Sequence, residues 1–288
     1  MNDYVIFTDS CCDISPEMLA QWGVPYANMT FSFDGEDKEY ISADITNKEF
    51  YDRMRQGAHP RTAAINADAF TRAFTPILEE GKDILYIAFS SGLSTTVSSA
   101  QMAVEELKES YPDRKIVIVD TLAASAGGGL MVYMAVAKKN QGASLEENAA
   151  YIEFLIPQHC IWFTVDDLEY LKRGGRISPL VAFAGSVLGI KPVLQMDDEG
   201  HLVKVSTARG RKKAIEALAD KYAELSYEEK NTPIFISHAE CEADAQQLAD
   251  ILTQRHGVEV TLITQIGPVI GSHAGPGTIA LFFIGKHR

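Results

Sequence analysis

Residues 83–120, DILYIAFSSGLSTTVSSAQMAVEELKESYPDRKIVIVD, decide the fold class of this protein. The stretch begins with a short apolar run at Asp83–Phe89, which predicts a buried strand. A helical pattern follows over Ser94–Ser110, and Ile116–Asp120 repeats the strand pattern. Short apolar strands that alternate with helices are typical of βαβ units, in which the strands lie parallel in one sheet. The stretch therefore predicts an α/β protein.

The same alternation extends through the first half of the chain. Tyr4–Thr8 is a short apolar run that ends in Asp-Ser, and Pro16–Trp22 predicts a helix capped by Ser15. Later in this half, Ala123–Ala137 is apolar and rich in small residues, with three glycines at Gly127–Gly129. This segment suits either a buried core helix or a cavity wall that leaves room for the tail of a ligand.

The pattern changes near Pro157. Pro192–Met196 and His201–Thr207 flank an acidic glycine turn and predict a hairpin, which is antiparallel. The other elements predicted in this half are strands at Ile161–Val165, Pro233–Ser237, Val258–Ile263 and Thr278–Ile284, and helices at Asp167–Lys172, Arg211–Leu225 and Ala243–Arg255. We therefore predict two α/β domains. Residues 1–157 form a parallel sheet between layers of helices, and residues 158–288 contain a mixed sheet.

The composition is that of a globular protein with an acidic surface. Of the 288 residues 46% are hydrophobic, and 26 Lys and Arg against 39 Asp and Glu leave a net charge of −13. Such a surface repels phosphate backbones, so we expect no nucleic acid as a main partner. The apolar runs are of strand length or are interrupted, so we expect no transmembrane segment. The first residues lack the pattern of a secretory signal, which favours a cytoplasmic protein.

The four cysteines fit a reducing compartment. Cys11 and Cys12 are adjacent, whereas Cys160 and Cys241 stand alone, and none of them has the spacing of a metal site. A disulfide between sequence neighbours is strained, so we interpret Cys11 and Cys12 as two reduced thiols in a turn. A redox role would require surroundings that lower a thiol pKa, and the sequence does not indicate them.

Polar turns follow two of the predicted strands, at the sheet edge where ligands bind in open parallel sheets. Thr8–Asp13 suits an Asx or serine turn that caps the next helix. In the turn Ser90–Thr96, Ser91 and Ser94 offer hydroxyls and Gly92 allows close approach of a ligand to the backbone. With the N–H groups of the following helix, this turn suits a single carboxylate better than a nucleotide phosphate. An ordinary helix cap by Ser94 is the structural alternative.

Two further features contain candidate site residues. Residues 267–277, GPVIGSHAGPG, hold four glycines and two prolines, so we expect an irregular loop there and no helix. His273 is the one titratable residue of this loop and is a candidate for a binding role. Arg176 follows Gly174-Gly175, where a guanidinium is placed to meet a phosphate or the carboxylate of a partner.

Taken together, these segments resemble the DegV family, the bacterial fatty-acid-binding proteins that serve as lipid-carrier subunits of fatty acid kinase. The motifs that carry the resemblance occur in order along nearly the whole chain: TDSCCD (8–13), SSGLS (90–94), FTVDDLEYLKRGGRI (163–177), GIKPVL (189–194) and GPVIGSHAGPG (267–277). The resemblance implies a DegV-like fold of two α/β domains with a long-chain fatty acid buried in a tunnel between them. It also implies that Thr62, Ser91 and His273 hold the carboxylate and that the backbone near Gly92 lies close to it.

The resemblance further implies a carrier that is not itself an enzyme. In the family, a separate ATP-binding kinase subunit phosphorylates the bound carboxylate to an acyl phosphate for phospholipid metabolism. This chain is then expected to need no cofactor, no metal and no ATP site, and to contact the membrane only transiently. Arg176 and Arg209 match family positions implicated in engaging the kinase, so we expect them to face the partner rather than to line the pocket.

Two departures from the family pattern affect the transfer of these roles. The family commonly has Thr-Ser-Gln-Pro where this chain has Thr62-Ala63-Ala64-Ile65, so only Thr62 corresponds. Thr95 stands where the family usually has Gly after the SSGLS serine. Neither departure removes a carboxylate ligand that the resemblance implies.

A serine hydrolase acting on acyl esters is the alternative function. Ser91 lies between a predicted strand and a predicted helix, and His273 comes later, which is the Ser-before-His order of α/β-hydrolases. However, the turn is not GxSxG, and the sequence places no acid to orient His273.

Overall fold

A computed structural model describes residues 3–178, 189–228 and 232–288. The elements of the first half are, in chain order, β1 (Tyr4–Asp9), α1 (Pro16–Trp22), β2 (Tyr26–Ala27), β3 (Thr30–Phe33), α2 (Asn47–Arg55), β4 (Pro60–Ala63), α3 (Ala67–Glu79), β5 (Asp83–Ala88), α4 (Thr96–Ser110), β6 (Ile116–Asp120), α5 (Ala126–Asn140) and α6 (Leu145–Leu155). Those of the second half are β7 (His159–Thr164), α7 (Glu169–Arg173), β8 (Ile190–Met196), β9 (Leu202–Arg209), α8 (Arg211–Leu225), β10 (Ile234–His238), α9 (Glu242–His256), β11 (Leu262–Gln265), α10 (Pro268–Ala274) and β12 (Ile279–Ile284).

The first half forms the parallel sheet that the βαβ pattern predicts. Four strands lie in the order β2-β1-β5-β6, and each neighbouring pair is parallel. Every residue of β5 is buried, as expected of a central strand covered by helices on both faces. Strands β3 and β4 form a separate antiparallel pair in which Phe31 lies opposite Thr62.

The second half forms the predicted mixed sheet. Six strands lie in the order β11-β10-β12-β7-β8-β9, where β10 and β11 are parallel and the other neighbours are antiparallel. The predicted hairpin is β8–β9, and its turn includes Gly200 with a φ of +77°. Glycine adopts this left-handed conformation without steric cost. The domain boundary at residue 157 stays a prediction.

Helix α5 joins the cores of the two sheets. It contacts β1 and β5 of the parallel sheet and β10 and β12 of the mixed sheet. A Cβ on Gly127 would lie 2.8 Å from Phe282 Cδ1, and one on Gly129 would lie 2.5 Å from Ile14 Cδ1. These glycines let neighbouring side chains approach the helix backbone. The sequence left two interpretations of this segment, a buried core helix or a cavity wall. For Gly127–Gly129 the core helix is the correct one.

The expectation of an irregular loop at residues 267–277 is wrong, because Pro268–Ala274 forms α10. Pro268 occupies the first turn, where a helix needs no N–H donor, and Gly275 ends the helix with a φ of +79°. Gly271 lies inside the helix, where a Cβ would come within 2.4 Å of Tyr51 Oη on α2. The prolines and most of the glycines thus mark the ends of a short helix.

The strand predicted at Val258–Ile263 is displaced toward the C-terminus. Pairing with β10 begins at Leu262, which lies opposite Phe235. Val258 instead packs in the core, and its carbonyl accepts a hydrogen bond of 2.9 Å from Thr253 Oγ1 at the end of α9. Among the described residues, we find no helix both long and apolar enough to span a bilayer.

Candidate functional site

An apolar cavity lies between residues of the two halves of the chain. The space between its lining residues is about 710 Å³, a figure that includes open solvent. Large apolar side chains supply most of the wall, among them Phe89, Phe163, Met196, Leu202, Val269 and Phe282. The shape and the lining suit a ligand with an extended apolar part.

Thr62 and His273 meet at this cavity from opposite halves of the chain. Thr62 lies on β4 and His273 in the last turn of α10, and the Thr62 Oγ1 to His273 Nε2 distance is 2.8 Å. His273 Nδ1 has no hydrogen-bond partner among the described residues. It packs so closely on Gly174 that a Cβ there would lie 2.1 Å away. The structure thus brings together Thr62 and His273, and their role as carboxylate ligands stays a prediction.

The imidazole of His273 is neutral near physiological pH. Its pKa is lowered to about 4, mainly because burial desolvates the ring and to a smaller extent because Arg176 is positively charged. A neutral imidazole has one N–H to donate and one nitrogen to accept a hydrogen bond. His273 can therefore donate to Thr62 Oγ1 through Nε2, which leaves the Thr62 hydroxyl proton for a ligand oxygen.

Ser94, and not Ser91, lies with these residues in the cavity wall. The Ser91 side chain is exposed and outside the lining, although its backbone N–H donates to Asp120 Oδ1 over 3.2 Å. Ser94 Oγ lies 2.9 Å from Thr96 Oγ1 and accepts a long hydrogen bond of 3.3 Å from Thr96 N. The predicted grouping of Ser91 with Thr62 and His273 is therefore corrected to Ser94.

Contacts with the hairpin explain the direction of this turn. A Cβ on Gly92 would lie 2.7 Å from the carbonyl oxygens of both Glu199 and Gly200, and Ser90 Oγ donates to Gly200 O over 3.0 Å. The turn docks on the β8–β9 hairpin through this face. Gly92 accordingly packs against the hairpin and is absent from the cavity lining, whereas its neighbours Leu93 and Ser94 line the cavity. The expectation that the backbone near Gly92 lies close to the ligand stays a prediction.

Arg176 lines the cavity, contrary to the expectation that it faces outward. Its Nε donates to Leu93 O over 3.1 Å and its Nη1 donates to Gly174 O. Desolvation by burial lowers the pKa of this guanidinium, and among the described residues no carboxylate lies within ion-pair distance of it. Thr62, His273, Gly174, Arg176 and the Leu93-Ser94 turn thus form one connected polar cluster.

Arg209 lies apart from this cluster. It is the last residue of β9, opposite Ile190, and its side chain is exposed and outside the cavity lining. Its predicted role toward a partner stays a prediction.

The turn at residues 8–13 has a structural role, because hydrogen bonds to Asp9 connect it to β5 and to the residue that follows β5. Asp9 accepts hydrogen bonds from Tyr86 Oη (2.7 Å), Phe89 N (3.0 Å) and Cys11 N (3.0 Å), the last as in an Asx turn. Cys11 and Cys12 are buried free thiols, and burial raises the pKa of both. They lack the electropositive surroundings of reactive cysteines.

Two lining residues, Ser94 and Ser125, are not among the carboxylate ligands that the resemblance implies, although the Ser94 hydroxyl belongs to the turn that the sequence predicts to suit a carboxylate. Ser94 belonged to the recognised turn, but no local signal separated its direction from that of Ser91. Ser125 lines the cavity in front of α5, with a φ of +55° that is rare for a residue other than glycine. Nothing in the composition of its segment indicates that conformation. Among the described residues, no group of acidic, histidine or cysteine side chains has the arrangement of a metal site.

The chain is similar in sequence and in structure to known proteins of the DegV family and to a fatty-acid-binding protein. The sequence model described as "Uncharacterised protein, DegV family" matches residues 3–286. A DegV domain-containing protein of Clostridium perfringens is 42% identical over 289 residues, covering 100% of this chain and 99% of that protein. A solved structure that concerns fatty acid binding of a DegV family protein from Thermus thermophilus has 33% identity and a TM-score of 0.89 over 99% of this chain and 100% of that one. A stearic-acid-binding protein of Eubacterium ventriosum has 27% identity and a TM-score of 0.89 over 98% of both chains.

Proposed function

This chain belongs to the DegV family, and we propose that it binds a long-chain fatty acid in the cavity between its halves and presents the carboxylate to a separate ATP-dependent kinase subunit. One observation carries the first part of the proposal. A largely apolar cavity adjoins a single polar cluster that contains Thr62, Ser94, His273 and Arg176. This division between apolar and polar walls matches the division of a fatty acid into tail and head.

The tail supplies most of the binding free energy in this proposal. Burial of about fourteen methylenes at about 0.8 kcal/mol each corresponds to about 11 kcal/mol before the cost of ordering the chain. Hydrogen bonds from Thr62 and Ser94 to a carboxylate add about 1.5–3 kcal/mol each before desolvation. The apolar wall therefore sets the affinity, and the polar cluster sets which end of the ligand enters and how it is oriented.

Arg176 supplies the positive charge of the polar cluster. Because His273 is neutral, the guanidinium is the cation of the cavity wall that can offset a bound carboxylate. Two of its nitrogen atoms donate to backbone carbonyls, which fix the plane of the group. In the kinase complex, the same charge would stabilise the acyl phosphate as negative charge accumulates on the transferred group.

The kinase partner supplies the nucleotide site in this proposal. We propose that Arg176 acts at the head group and that exposed Arg209 contacts the kinase surface, with the carrier working in the cytoplasm in phospholipid metabolism. The chain itself lacks the Gly-rich lysine loop that cradles a triphosphate.

The geometry does not favour the hydrolase alternative. Ser91 is exposed and lies outside the cavity lining, and His273 pairs with Thr62. Among the described residues, no acid bonds to His273 Nδ1, the position that orients the histidine of a catalytic triad.

The proposal is tested first by the lipid that the protein carries. The full chain is purified under mild conditions and denatured, and the organic extract is analysed by mass spectrometry. About one long-chain fatty acid per protein is the expected result. The variant Phe282→Arg, which puts a charge into the apolar wall, should lose the lipid, whereas the control Arg209→Ala should keep it. Repeated extraction of no fatty acid from the unaltered protein would contradict the binding function.

The presentation step is tested separately. Protein loaded with a defined fatty acid is mixed with a purified fatty acid kinase subunit and ATP, and acyl phosphate is trapped with hydroxylamine. We expect product only when both proteins are present. Hydroxamate formed without the kinase subunit would show that the chain acts as an enzyme.

A further inference from the structure

Helix α10 is held to the first half of the chain at both ends. At its C-terminal end, His273 meets Thr62. At its N-terminal end, the backbone N–H of Gly267 donates to Asp13 Oδ1 over 2.9 Å. The position of α10, and with it that of His273, therefore depends on the side chain of Asp13.

Asp13 also connects α10 to the cavity wall. Its Oδ2 accepts a hydrogen bond of 2.5 Å from Ser125 Oγ, and Ser125 Oγ lies 2.9 Å from Ser237 Oγ on β10. The backbone carbonyl of Asp13 accepts from Thr264 Oγ1 over 2.9 Å. Both Asp13 and Ser125 have positive φ angles, 49° and 55°, although neither is glycine. Such backbone strain persists only where surrounding contacts over-determine it, and it clusters at functional sites.

The Asp13–Ser125 hydrogen bond separates two spaces. Ser125 lines the apolar cavity, whereas Asp13 lines a solvent groove on the other side, together with Glu17 of α1 and Gly267. Protons from solvent can therefore reach Asp13 through the groove without entering the ligand cavity.

Within the part of the chain that the structure describes, none of the groups that influence the pKa of Asp13 is positively charged. The titratable side chains that interact with it are Asp9 on β1, Cys11 and Cys12 in its own turn, and Tyr51 on α2. Burial raises the pKa of Asp13 to about 7, and the nearby charge of Asp9 raises it further. The hydrogen bonds from Ser125 and Gly267 oppose this shift because they lower the pKa. A neutral Asp13 can still accept from Gly267 N and can donate to Ser125, so both protonation states can bond to these neighbours.

We propose that Asp13 is a positioning residue whose ionisation controls how α10 and the cavity wall receive a fatty-acid carboxylate. The proposal rests on the proposed function. An ionised Asp13 places a negative charge near the polar cluster, in addition to the charge of the ligand carboxylate. It also strengthens the hydrogen bond that Asp13 accepts from Gly267 at the start of α10. Gly267 and His273 are six residues apart along α10, which is about 9 Å of helix. On that length scale, a negative charge on Asp13 repels a carboxylate held beside His273. Ligand affinity therefore falls as the pH rises through neutrality.

Binding of laurate, a soluble shorter-chain analogue of a long-chain fatty acid, to delipidated full-length protein tests the proposal. It is measured by titration calorimetry from pH 6 to pH 8.5. We expect affinity to fall on the order of tenfold across this range, as for two like charges about 9 Å apart at an effective dielectric constant of about 20. The variant Asp13→Asn should give a flat profile. Asp83→Asn is the matched control, because Asp83 is a buried carboxylate at the start of β5 that accepts from Lys115 N over 3.0 Å, and it should keep the unaltered profile.

A second variant and a ligand-free measurement complete the test. Ser125→Ala removes a hydrogen bond that lowers the pKa of Asp13, so its transition should move to higher pH. In the ligand-free protein, the His273 Cε1–H resonance should shift with a midpoint near neutrality, well above the pKa of His273 itself, and Asp13→Asn should abolish that shift. A pH-dependent affinity that persists in Asp13→Asn, or a His273 resonance insensitive to Asp13, would overturn the inference. Absence of binding of both laurate and the long-chain acid oleate at every pH would instead count against the proposed function, while the resonance still tests the role of Asp13.

Discussion

Substitution of Ser94 by alanine tests whether the Ser94 hydroxyl, and not that of Ser91, binds the carboxylate of the ligand. Ser94 Oγ can accept hydrogen bonds from Thr96 Oγ1 and Thr96 N, so its own proton is free to donate to a carboxylate in the cavity. A hydrogen bond to a charged group contributes about 1.5–3 kcal/mol, so Ser94→Ala should weaken fatty-acid binding by about 10- to 150-fold. The loss of stability should stay below about 1 kcal/mol, because the hydrogen bond to Thr96 N is long.

The assay is calorimetric titration of laurate into delipidated protein, with thermal unfolding measured in parallel. Ser91→Ala is the matched control, since it removes the same hydroxyl from an exposed position of the same turn. We expect its affinity to stay within about twofold of the unaltered protein, as is usual for surface substitutions. Equal weakening of laurate binding by both substitutions, or weakening by Ser91→Ala alone, would refute the assignment of Ser94 to the polar cluster.

Three further predictions follow from the structure. Gly127→Ala should destabilise the protein by about 1–3 kcal/mol in denaturant unfolding, because its Cβ would meet Phe282, whereas Gly128→Ala, with 3.7 Å to Cys12 Cα, should not destabilise it. His273 has a folded-state pKa of about 4, below the ordinary value of 6.5, so the unfolded state binds a proton first and stability should fall by up to about 3 kcal/mol as the pH drops from 6.5 to 4. That part of the pH dependence should vanish in His273→Gln, and its persistence would contradict the buried neutral imidazole. Arg176→Ala should weaken laurate binding at least about tenfold in the titration used for Ser94, whereas Arg209→Ala should not change it. Full affinity in Arg176→Ala would show that Arg176 acts outside the cavity.

The amino-acid sequence by itself determined the fold class and the alternation of strands and helices that carries the parallel sheet. The apolar runs at β1, β5 and β6 and the helices between them are local patterns, and a parallel sheet is the arrangement that buries such strands on both faces. The glycine turn of the β8–β9 hairpin is local for the same reason. Thr62 and His273 were recognised through motifs, and the structure brings their side chains within 2.8 Å.

The tertiary structure alone decided which polar groups face the cavity. Ser94 lines the cavity and Ser91 does not, because the turn docks through Ser90 and Gly92 on a hairpin about a hundred residues later in the chain. The direction of a side chain in a turn depends on such a contact, and neighbouring residues in sequence do not encode it. Likewise, the composition of residues 267–277 indicated a loop, but packing of Gly271 on Tyr51 and the bond from Gly267 to Asp13 hold its centre as a helix. Local patterns report backbone preferences, whereas the site consists of long-range contacts between groups that only the folded chain brings together.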